Sequence, residues 1–329
     1  MNLQSPSFKN AAAIAYVLST YSLGVGLLLP LGWGWNLVGV VLLTHALVLS
    51  TVLTHEFLHG NIFKARPLNA RFGQWMTHLN GACYPPYEDL VQHHFNHHIH
   101  HADFVPFEIA SFFDRQPVWM RRSLLLLEWA YFTIFEFILR WRLIFAPFRD
   151  PAQAQHQKRV LALLSYRTAC FAVLGGFSLK ALLLYGLAYT CFINLMRFAD
   201  AFHHTYDYVI AGQSMPCRDR VYEQAHTFSN LVSTRFVWLN LLYLNFGYHN
   251  AHHHDMRCPW HELPQLHARL YSQDAKNLLP LSHLIANYHR FRLQRLVGTQ
   301  GEADLTLATF TGGVGVSFRD GQQANGKVG

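Results

Sequence analysis

The chain has 329 residues, of which 51% are hydrophobic, 15% aromatic and only 14% charged, so its composition is not that of an ordinary soluble enzyme. The net charge is +7, and no basic run alternates with aromatic residues, so nucleic acid is not an expected partner. The five cysteines form no C-x-x-C pair, which indicates neither a disulfide framework nor a cysteine-based zinc site. The 22 histidines are the unusual feature, and they are the candidate functional residues.

Long apolar runs predict how the chain meets a membrane. The first two, about residues 11–31 and 33–54, are long enough to cross a hydrocarbon core at about 1.5 Å per residue. The first run lacks a small-residue cleavage site, so we predict a retained helix and not a signal peptide. A further stretch, 160–199, is broken near residues 175–178, which suits two more helices. The predicted fold is all-α: an integral membrane protein with four transmembrane helices in two hairpins, a cytosolic histidine-rich helical cap and interfacial helices.

Two other apolar segments are predicted to lie in the membrane interface. Residues 123–145 carry Glu128, Glu136 and Arg140 on one helical stripe, which is typical of an amphipathic helix. Residues 236–246 are too short to span the bilayer, so we expect them to re-enter the interface.

The distribution of charge predicts the orientation of the chain. Nine Lys or Arg residues lie between residues 55 and 157, and none lies in the turn at 32–35. The positive-inside rule therefore places the histidine side in the cytoplasm. We predict one membrane domain over residues 1–297. Residues 298–329, which are rich in glycine and polar residues without periodicity, are predicted to form a disordered tail.

The first histidine cluster, HEFLH, ends the second apolar run. His55 and His59 are four residues apart and share one helical face. The same H-E-x-x-H pattern is the signature of zinc metalloproteases, in which the glutamate, here Glu56, activates a water. A protease of that class needs one further ligand, whereas this chain offers several more clusters, so we favour a larger metal site.

The remaining clusters leave several assignments open. In HHFNHHIHHAD, the H-x-x-H-H register is either His94, His97 and His98 or His97, His100 and His101. A further cluster, HNAHHH, contains His249, His252 and His253.

Two acidic residues are candidates near these clusters. In FADAFHHTYD, Asp200 and His204 are four residues apart, and His203 would lie about 100° round a helix from His204. In YEQAHTFSN, Glu223 or His226 is expected to hold the ring of a ligating histidine, because such rings usually donate their second N–H to a carboxylate or carbonyl.

HEFLH, HFNHH and HNAHH resemble the three histidine boxes of the membrane-bound fatty acid desaturase and hydroxylase superfamily, over roughly residues 10–290. In that superfamily the third box is followed by Pro-Trp and then Leu-Pro; here Pro259 comes six residues after His253, and Trp260, Leu263 and Pro264 follow. This match aligns His249, His252 and His253 with the third box and leaves His254 as an extra residue. In the second box, the acidic residue after the histidines corresponds to Asp103, which favours the register of His94, His97 and His98. Met256 departs from the pattern, since it replaces a frequent proline.

The resemblance implies two iron ions held by eight or nine histidines, with O2 as co-substrate. The implied ligands are His55, His59, His94, His97, His98, His204, His249, His252 and His253, and the supporting acidic residues are Asp200, Glu56 and Glu223. His93, His100, His101, His203 and His254 remain unassigned.

The implied reaction is oxidation of an unactivated C–H bond in a fatty acyl or other lipid chain. Desaturation is favoured because the Pro-Trp-x-x-Leu-Pro sequence resembles acyl desaturases. Hydroxylation and decarboxylation to a terminal alkene are the alternatives. Electrons are expected from a separate ferredoxin, rubredoxin or cytochrome-type protein, since no further domain follows residue 298, with docking on Arg218, Arg220, Arg290 and Arg292.

A membrane protein that binds or transports metal without catalysis is a different hypothesis. A transport path would place polar ligands inside the spans. Here His45 is the only histidine well inside a predicted span, and the clusters lie at helix ends, so the sequence favours a site over a path.

Overall fold

The structure is a computed structural model that describes residues 8–105, 109–206, 208–210, 214, 217–272, 275–297, 302–304 and 309–311. These residues are mostly helical, as predicted. They divide into two compact units. The first lies within Met1–Val91 and Glu136–Leu195, and the second within Gln92–Phe135 and Met196–Gly329.

The helices, in chain order, are α1 (Phe8–Leu28), α2 (Trp33–His59), α3 (Arg66–Asn80), α4 (Tyr87–His100), α5 (Ile109–Asp114), α6 (Val118–Trp129), α7 (Ile134–Ile144), α8 (Ala146–Arg149), α9 (Gln157–Phe177), α10 (Leu179–Asp200), α11 (Arg220–Ala225), α12 (His249–His254), α13 (Leu263–Leu270), α14 (Leu281–Phe291) and α15 (Gln294–Val297). Short 3₁₀ segments cover Pro151–His156 and Val237–Tyr243. The strands are β1 (Asp103–Val105), β2 (Tyr208–Ile210), β3 (Ser229–Leu231), β4 (Leu278–Pro280), β5 (Glu302–Asp304) and β6 (Thr309–Thr311).

Four of these helical segments are long and apolar enough to cross a membrane: α1, α2, α9 with the 3₁₀ segment before it, and α10. This number agrees with the prediction. The predicted break near residues 175–178 is the single residue Ser178, at which α9 ends and α10 begins. Helix α2 runs without interruption to His59, so the HEFLH sequence is helical. Gly60 then ends the helix in the left-handed conformation, with φ of 75°, which glycine adopts without steric cost.

In the first unit, α1 and α2 pack at close range because small residues face each other. A Cβ atom added at Gly39 would lie 2.9 Å from the carbonyl oxygen of Gly24. The turn between these helices is held by Asn36, whose amide donates to the carbonyl of Leu27 at 2.9 Å. Lys180 of α10 donates to the Asn36 side chain at 2.8 Å and to the carbonyl of Pro30 at 2.6 Å. These hydrogen bonds connect the ends of three helices.

The predicted helix over 123–145 is two helices, α6 and α7. The chain breaks at Tyr131, which has a φ of 63° and cannot continue a right-handed helix. Glu128 stabilises the break, because its carboxylate accepts the backbone N–H of Phe135 at 2.9 Å and pairs with Arg197 at 2.9 Å. Glu128 is therefore in a buried ion pair at the end of α6, whereas Glu136 and Arg140 pair with each other on α7 at 3.0 Å.

The second unit holds short parallel strand pairs, β1 with β2 and β3 with β4. An apolar cluster that includes Phe202, Phe228, Leu279, Leu284 and Tyr288 forms part of its core. Strands β5 and β6 pair in antiparallel fashion. They are the described part of the predicted tail, and its other residues lie outside the described ranges.

Candidate metal centre

The first histidine cluster lies in the first unit, at the end of α2. The rings of His55 and His59 meet edge to face, with centroids 4.7 Å apart, as expected for residues four apart on one helical face. Glu56 is buried, and its Oε1 lies 3.5 Å from Nδ1 of His55. The supporting role predicted for Glu56 is therefore compatible with its position beside His55.

The second cluster lies on α4, within the second unit. Nε2 of His98 lies 3.2 Å from Nε2 of His94. Nδ1 of His97 lies 3.1 Å from the carbonyl oxygen of Ala102, which can only accept, so the ring proton is on Nδ1 and Nε2 presents its lone pair. His101 instead directs Nδ1 to the carbonyl of Arg218 at 3.1 Å, away from this group. His94, His97 and His98 are thus brought together.

The third cluster is the six-residue helix α12. His249, His252 and His253 are 5%, 1% and 4% exposed, an unusual degree of burial for polar rings. Asn250, between them in the sequence, accepts from Ser229 at 3.0 Å and donates to the carbonyl of Thr227, which holds α12 against β3.

The sequence after α12 forms the apolar support of this helix. Leu263 is buried and packs in a cluster with Tyr248, Ala251 and Cys258. The carbonyl of Trp260 accepts a hydrogen bond from Asn245 at 3.1 Å. The Pro-Trp-x-x-Leu-Pro sequence therefore has a packing role beside the third cluster.

The segment after α10 differs from the prediction. Helix α10 ends at Asp200, so His204 is not on that helix; it forms a β-bridge with Thr227. His204 turns its ring inward, with Nε2 2.8 Å from Nε2 of His249, whereas His203 stacks on His249 with ring centroids 4.1 Å apart. Asp200, the last residue of α10, is exposed.

Two groups of nitrogen atoms result in the second unit. His94, His98 and His252 form one, and His97, His204 and His253 form the other, with the potential ligand atoms of each group within 4.8 Å of one another. Nε2 of His98 lies 3.3 Å from Nε2 of His252 as well as 3.2 Å from that of His94. A neutral imidazole carries one N–H and one lone pair, so Nε2 of His98 cannot form hydrogen bonds with both neighbouring rings through a single lone pair or proton. A metal cation that accepts the lone pairs of all three nitrogens is the better partner.

The charge state of the rings also fits a metal. Burial lowers the pKa values of His204, His249 and His253 well below the ordinary value, and neighbouring histidines lower them further. These rings are therefore neutral at pH 7, as metal ligands must be. Nε2 of His253 is buried and has no hydrogen-bond partner among the described residues, which leaves its lone pair for a metal.

Glu223 supports His253. Its Oε1 accepts from Nδ1 of His253 at 3.0 Å and lies 3.6 Å from Nε2 of His101. Burial raises the pKa of Glu223 to about 7, against the effect of Arg220 and His97. His226, the alternative supporting residue, instead stacks on Tyr222 at 3.9 Å and directs its Nδ1 to a backbone carbonyl.

Sequence reasoning missed two residues that hold His204. The Thr227 hydroxyl donates to the carbonyl of Glu223 at 2.7 Å, so its oxygen can accept from Nδ1 of His204 at 3.3 Å. Tyr206 is fully buried, lies against the His204 ring and is hydrogen-bonded to Thr227 at 2.8 Å. A lone threonine 23 residues from its partner carries no recognisable sequence signal.

Comparison with known proteins agrees with this geometry. The profile of the family described as "Fatty acid desaturase" matches residues 8–284, which is most of the chain. None of the curated proteins compared with the chain gives a significant match. The four apolar helices are compatible with a membrane protein, and the histidine clusters fit the family's histidine boxes and are able to bind metal. The chain belongs to the fatty acid desaturase family, whose members are metal-dependent oxidoreductases of lipid acyl chains.

Proposed function

We propose that the protein uses O2 and two iron ions to oxidise an unactivated C–H bond of a fatty acyl chain, and that the reaction is desaturation. The observation that carries this proposal is the convergence, within one unit, of histidine nitrogens into two groups, His94 with His98 and His252, and His97 with His204 and His253. Nitrogen-rich ligation by separate segments suits iron, whereas soluble di-iron bundles use glutamates.

The proposed ligands are the residues at the positions of the three boxes, together with His204. They are His55, His59, His94, His97, His98, His204, His249, His252 and His253. His55 and His59 enter this set through the motif at the end of α2. Asp200, which is exposed, is proposed only as a more distant supporting residue.

Bound iron would supply the oxidant that removes hydrogen from the acyl chain, with O2 as the source of oxidising power. The protein's own residues fix the orientation and the tautomer of the ligand rings. Glu223, the carbonyl of Ala102 and the Thr227 hydroxyl accept hydrogen bonds from Nδ1–H of His253, His97 and His204, respectively, so that Nε2 of each ring keeps its lone pair. Burial of His204 and His253 limits the access of water, which would otherwise consume the oxidant.

The family match and the distribution of charge support the proposed substrate and cellular side. The match to the fatty acid desaturase family and the four apolar helices support a fatty acyl substrate, with a separate one-electron carrier such as a ferredoxin, rubredoxin or cytochrome as the electron donor. The excess of Lys and Arg around the histidine clusters supports a metal site on the cytoplasmic side. Hydroxylation and decarboxylation to a terminal alkene use the same ligands and are the competing reactions.

Mass spectrometry of lipids and volatile products tests the proposal. Wild type is expressed beside His252→Ala, with His289→Ala as a matched control, because His289 is exposed on α14 and belongs to neither nitrogen group. We expect wild type and the control to give an acyl product lighter by two hydrogen atoms, and to hold about two irons per chain as di-iron proteins do.

Other outcomes would change the conclusion in defined ways. A product heavier by one oxygen atom, or an alkene one carbon shorter, would keep the metal centre and reject desaturation. Zinc in place of iron with unchanged lipids would reject the proposed function. Loss of iron from His252→Ala, together with a wild type that oxidises no lipid with any donor, would favour a protein that binds metal without catalysis.

A further inference from the structure

A column of nearly parallel aromatic rings leads away from the ligand His204. Tyr206 stacks on His204 with ring centroids 4.2 Å apart and an interplanar angle of 22°. Tyr222 follows, with its centroid 5.9 Å from that of Tyr206 and an interplanar angle of 24°. The Arg218 guanidinium caps the column 4.4 Å from the centroid of Tyr222. We refer to His204, Tyr206, Tyr222 and Arg218 as the aromatic column.

The inner end of the column contacts a whole nitrogen group. The Tyr206 ring lies 5.6 Å from the ring of His97 and 6.2 Å from that of His253, in addition to its stack on His204. These are the three residues whose nitrogens form the second potential metal position. Tyr206 has no exposed surface, so its ring fills the space between this position and Tyr222.

The outer end of the column lies at a partly exposed, basic part of the surface. Arg220 is exposed and donates to the carbonyl of His254 at 2.7 Å. Arg257, three residues after His254, is also exposed. With Arg218 these cations outnumber the neighbouring exposed carboxylates, Asp219 and Asp255. Such a surface attracts an acidic partner and steers its approach.

We propose that electrons enter the metal centre along the aromatic column from a small acidic iron–sulfur protein that docks at Arg218, Arg220 and Arg257. This inference rests on the proposed function, because it assumes a metal centre that an external carrier reduces. Electron tunnelling weakens steeply with each gap between π-systems, and rings in van der Waals contact keep the gaps short. The column provides two stacked ring pairs, with centroids 4.2 and 5.9 Å apart, from a partly exposed residue, Tyr222, to the proposed ligand His204.

The electrons balance as follows for desaturation. The acyl chain loses two hydrogen atoms, two reduced carriers each lose one electron, and solvent supplies two protons. O2 takes up all four electrons and four protons and leaves as two waters. Each passage along the column oxidises one carrier and reduces one ferric ion, and no tyrosine is chemically changed.

Anaerobic stopped-flow reduction of the ferric protein tests the route. The probes are a reduced acidic [2Fe–2S] ferredoxin and dithionite, a small reductant that does not need the docking surface. Tyr222→Leu removes a ring, whereas Tyr222→Phe keeps it. We expect Tyr222→Leu to slow reduction by ferredoxin about tenfold, equivalent to about 1.4 kcal/mol in activation free energy, and to leave iron content and reduction by dithionite unchanged. Tyr222→Phe should react like the wild type.

The second unit offers a matched control for this variant. Tyr131 also lies under a guanidinium, that of Arg292 at 3.9 Å, and its hydroxyl is hydrogen-bonded to His289, which belongs to neither nitrogen group. Tyr131→Leu should therefore leave both rates unchanged. A Tyr222→Leu protein that keeps its iron and its ferredoxin rate, or a Tyr131→Leu protein that slows equally, would overturn the route.

Docking is tested without metal. Titration of the ferredoxin against the metal-free protein should show weaker binding for Arg220→Glu than for wild type, with the difference lost at high salt. Arg122→Glu makes the same charge change at an exposed position of α6 and should bind like wild type. Equal loss in both variants, or in neither, would overturn the docking surface.

These experiments separate the inference from the function it rests on. A wild type that holds iron and is reduced by ferredoxin, with no difference among the tyrosine variants, rejects the column alone. A wild type that holds no iron, or that no carrier reduces, rejects the proposed function and the inference together.

Discussion

Replacing Gly247 with alanine should disturb the third histidine cluster without touching a histidine. Gly247 lies just before α12, and its carbonyl accepts the backbone N–H of Asn230 in β3 at 2.8 Å. A Cβ atom at this position would lie 2.3 Å from the carbonyl oxygen of Asn230, about 1 Å inside the ordinary contact distance of 3.4 Å. The obstacle is backbone and not a flexible side chain, so either α12 or β3 must move.

The size of the effect follows from that displacement. Overpacking of this kind costs about 1–3 kcal/mol in the free energy of unfolding. A shift of roughly 1 Å in catalytic geometry lowers activity about 100-fold. Because His249, His252 and His253 are all on α12, we expect loss of iron and of activity that is larger than the loss of stability implies.

The assay compares Gly247→Ala with Gly186→Ala in detergent, by denaturant unfolding, iron content and turnover. Gly186, on α10, has no described heavy atom within 4 Å of the position where a Cβ would lie, so its variant should match the wild type in iron and activity. If Gly247→Ala kept full iron and unfolded within about 0.5 kcal/mol of the wild type, the close contact with β3 would not control the site.

Three further outcomes are expected. Glu223→Gln should lower metal affinity about 10- to 100-fold in a metal titration, because a neutral amide accepts the ring proton less strongly; an unchanged affinity would reject this support. The metal-free protein should lose stability as pH falls below about 6.5, because His204, His249 and His253, whose pKa values are lowered in the folded state, take up protons on unfolding. Glu223, whose pKa is raised in the folded state, has the opposite effect, but it is one group against three. Denaturant unfolding at pH 7.5 and 5.5 should therefore give a smaller free energy of unfolding at pH 5.5, and an equal or larger one would contradict this. Lys180→Met should destabilise the first unit by about 1.5–3 kcal/mol through loss of charged hydrogen bonds to Asn36 and Pro30, and thermal unfolding with no shift would contradict it.

The spans and the histidine clusters could be predicted because their signals are local. A long apolar run predicts a membrane helix whatever the rest of the chain does. HEFLH lies on α2, as the spacing of four residues between its histidines indicates. The prediction of one continuous helix over 123–145 was wrong, because the buried ion pair of Glu128 with Arg197 stabilises a break that no local sequence pattern indicates.

The support of the ligands depends on contacts between distant parts of the chain. Thr227 reaches His204 across 23 residues, and Asn250 reaches Ser229 across 21. Such pairs form only after the strands have paired, so their spacing in the sequence has no regular period. Glu223 could be predicted as a candidate because a carboxylate near a histidine-rich site has a common chemical role.

The pairing of β3 with β4 has a consequence for how the protein acquires its metal. Strand β3, which holds α12 through Ser229, pairs with β4, so this pairing must wait until Leu278–Pro280 has been synthesised. At about 5–20 residues per second, the ribosome needs some tens of seconds to go from His55 to that strand. During that interval imidazoles are available before the site can impose its geometry, and copper and zinc bind nitrogen more tightly than ferrous iron does. Loading of the proposed iron therefore depends on which ions the cell makes available to the nascent chain, and overexpression in a zinc-rich medium should give a folded protein that holds zinc.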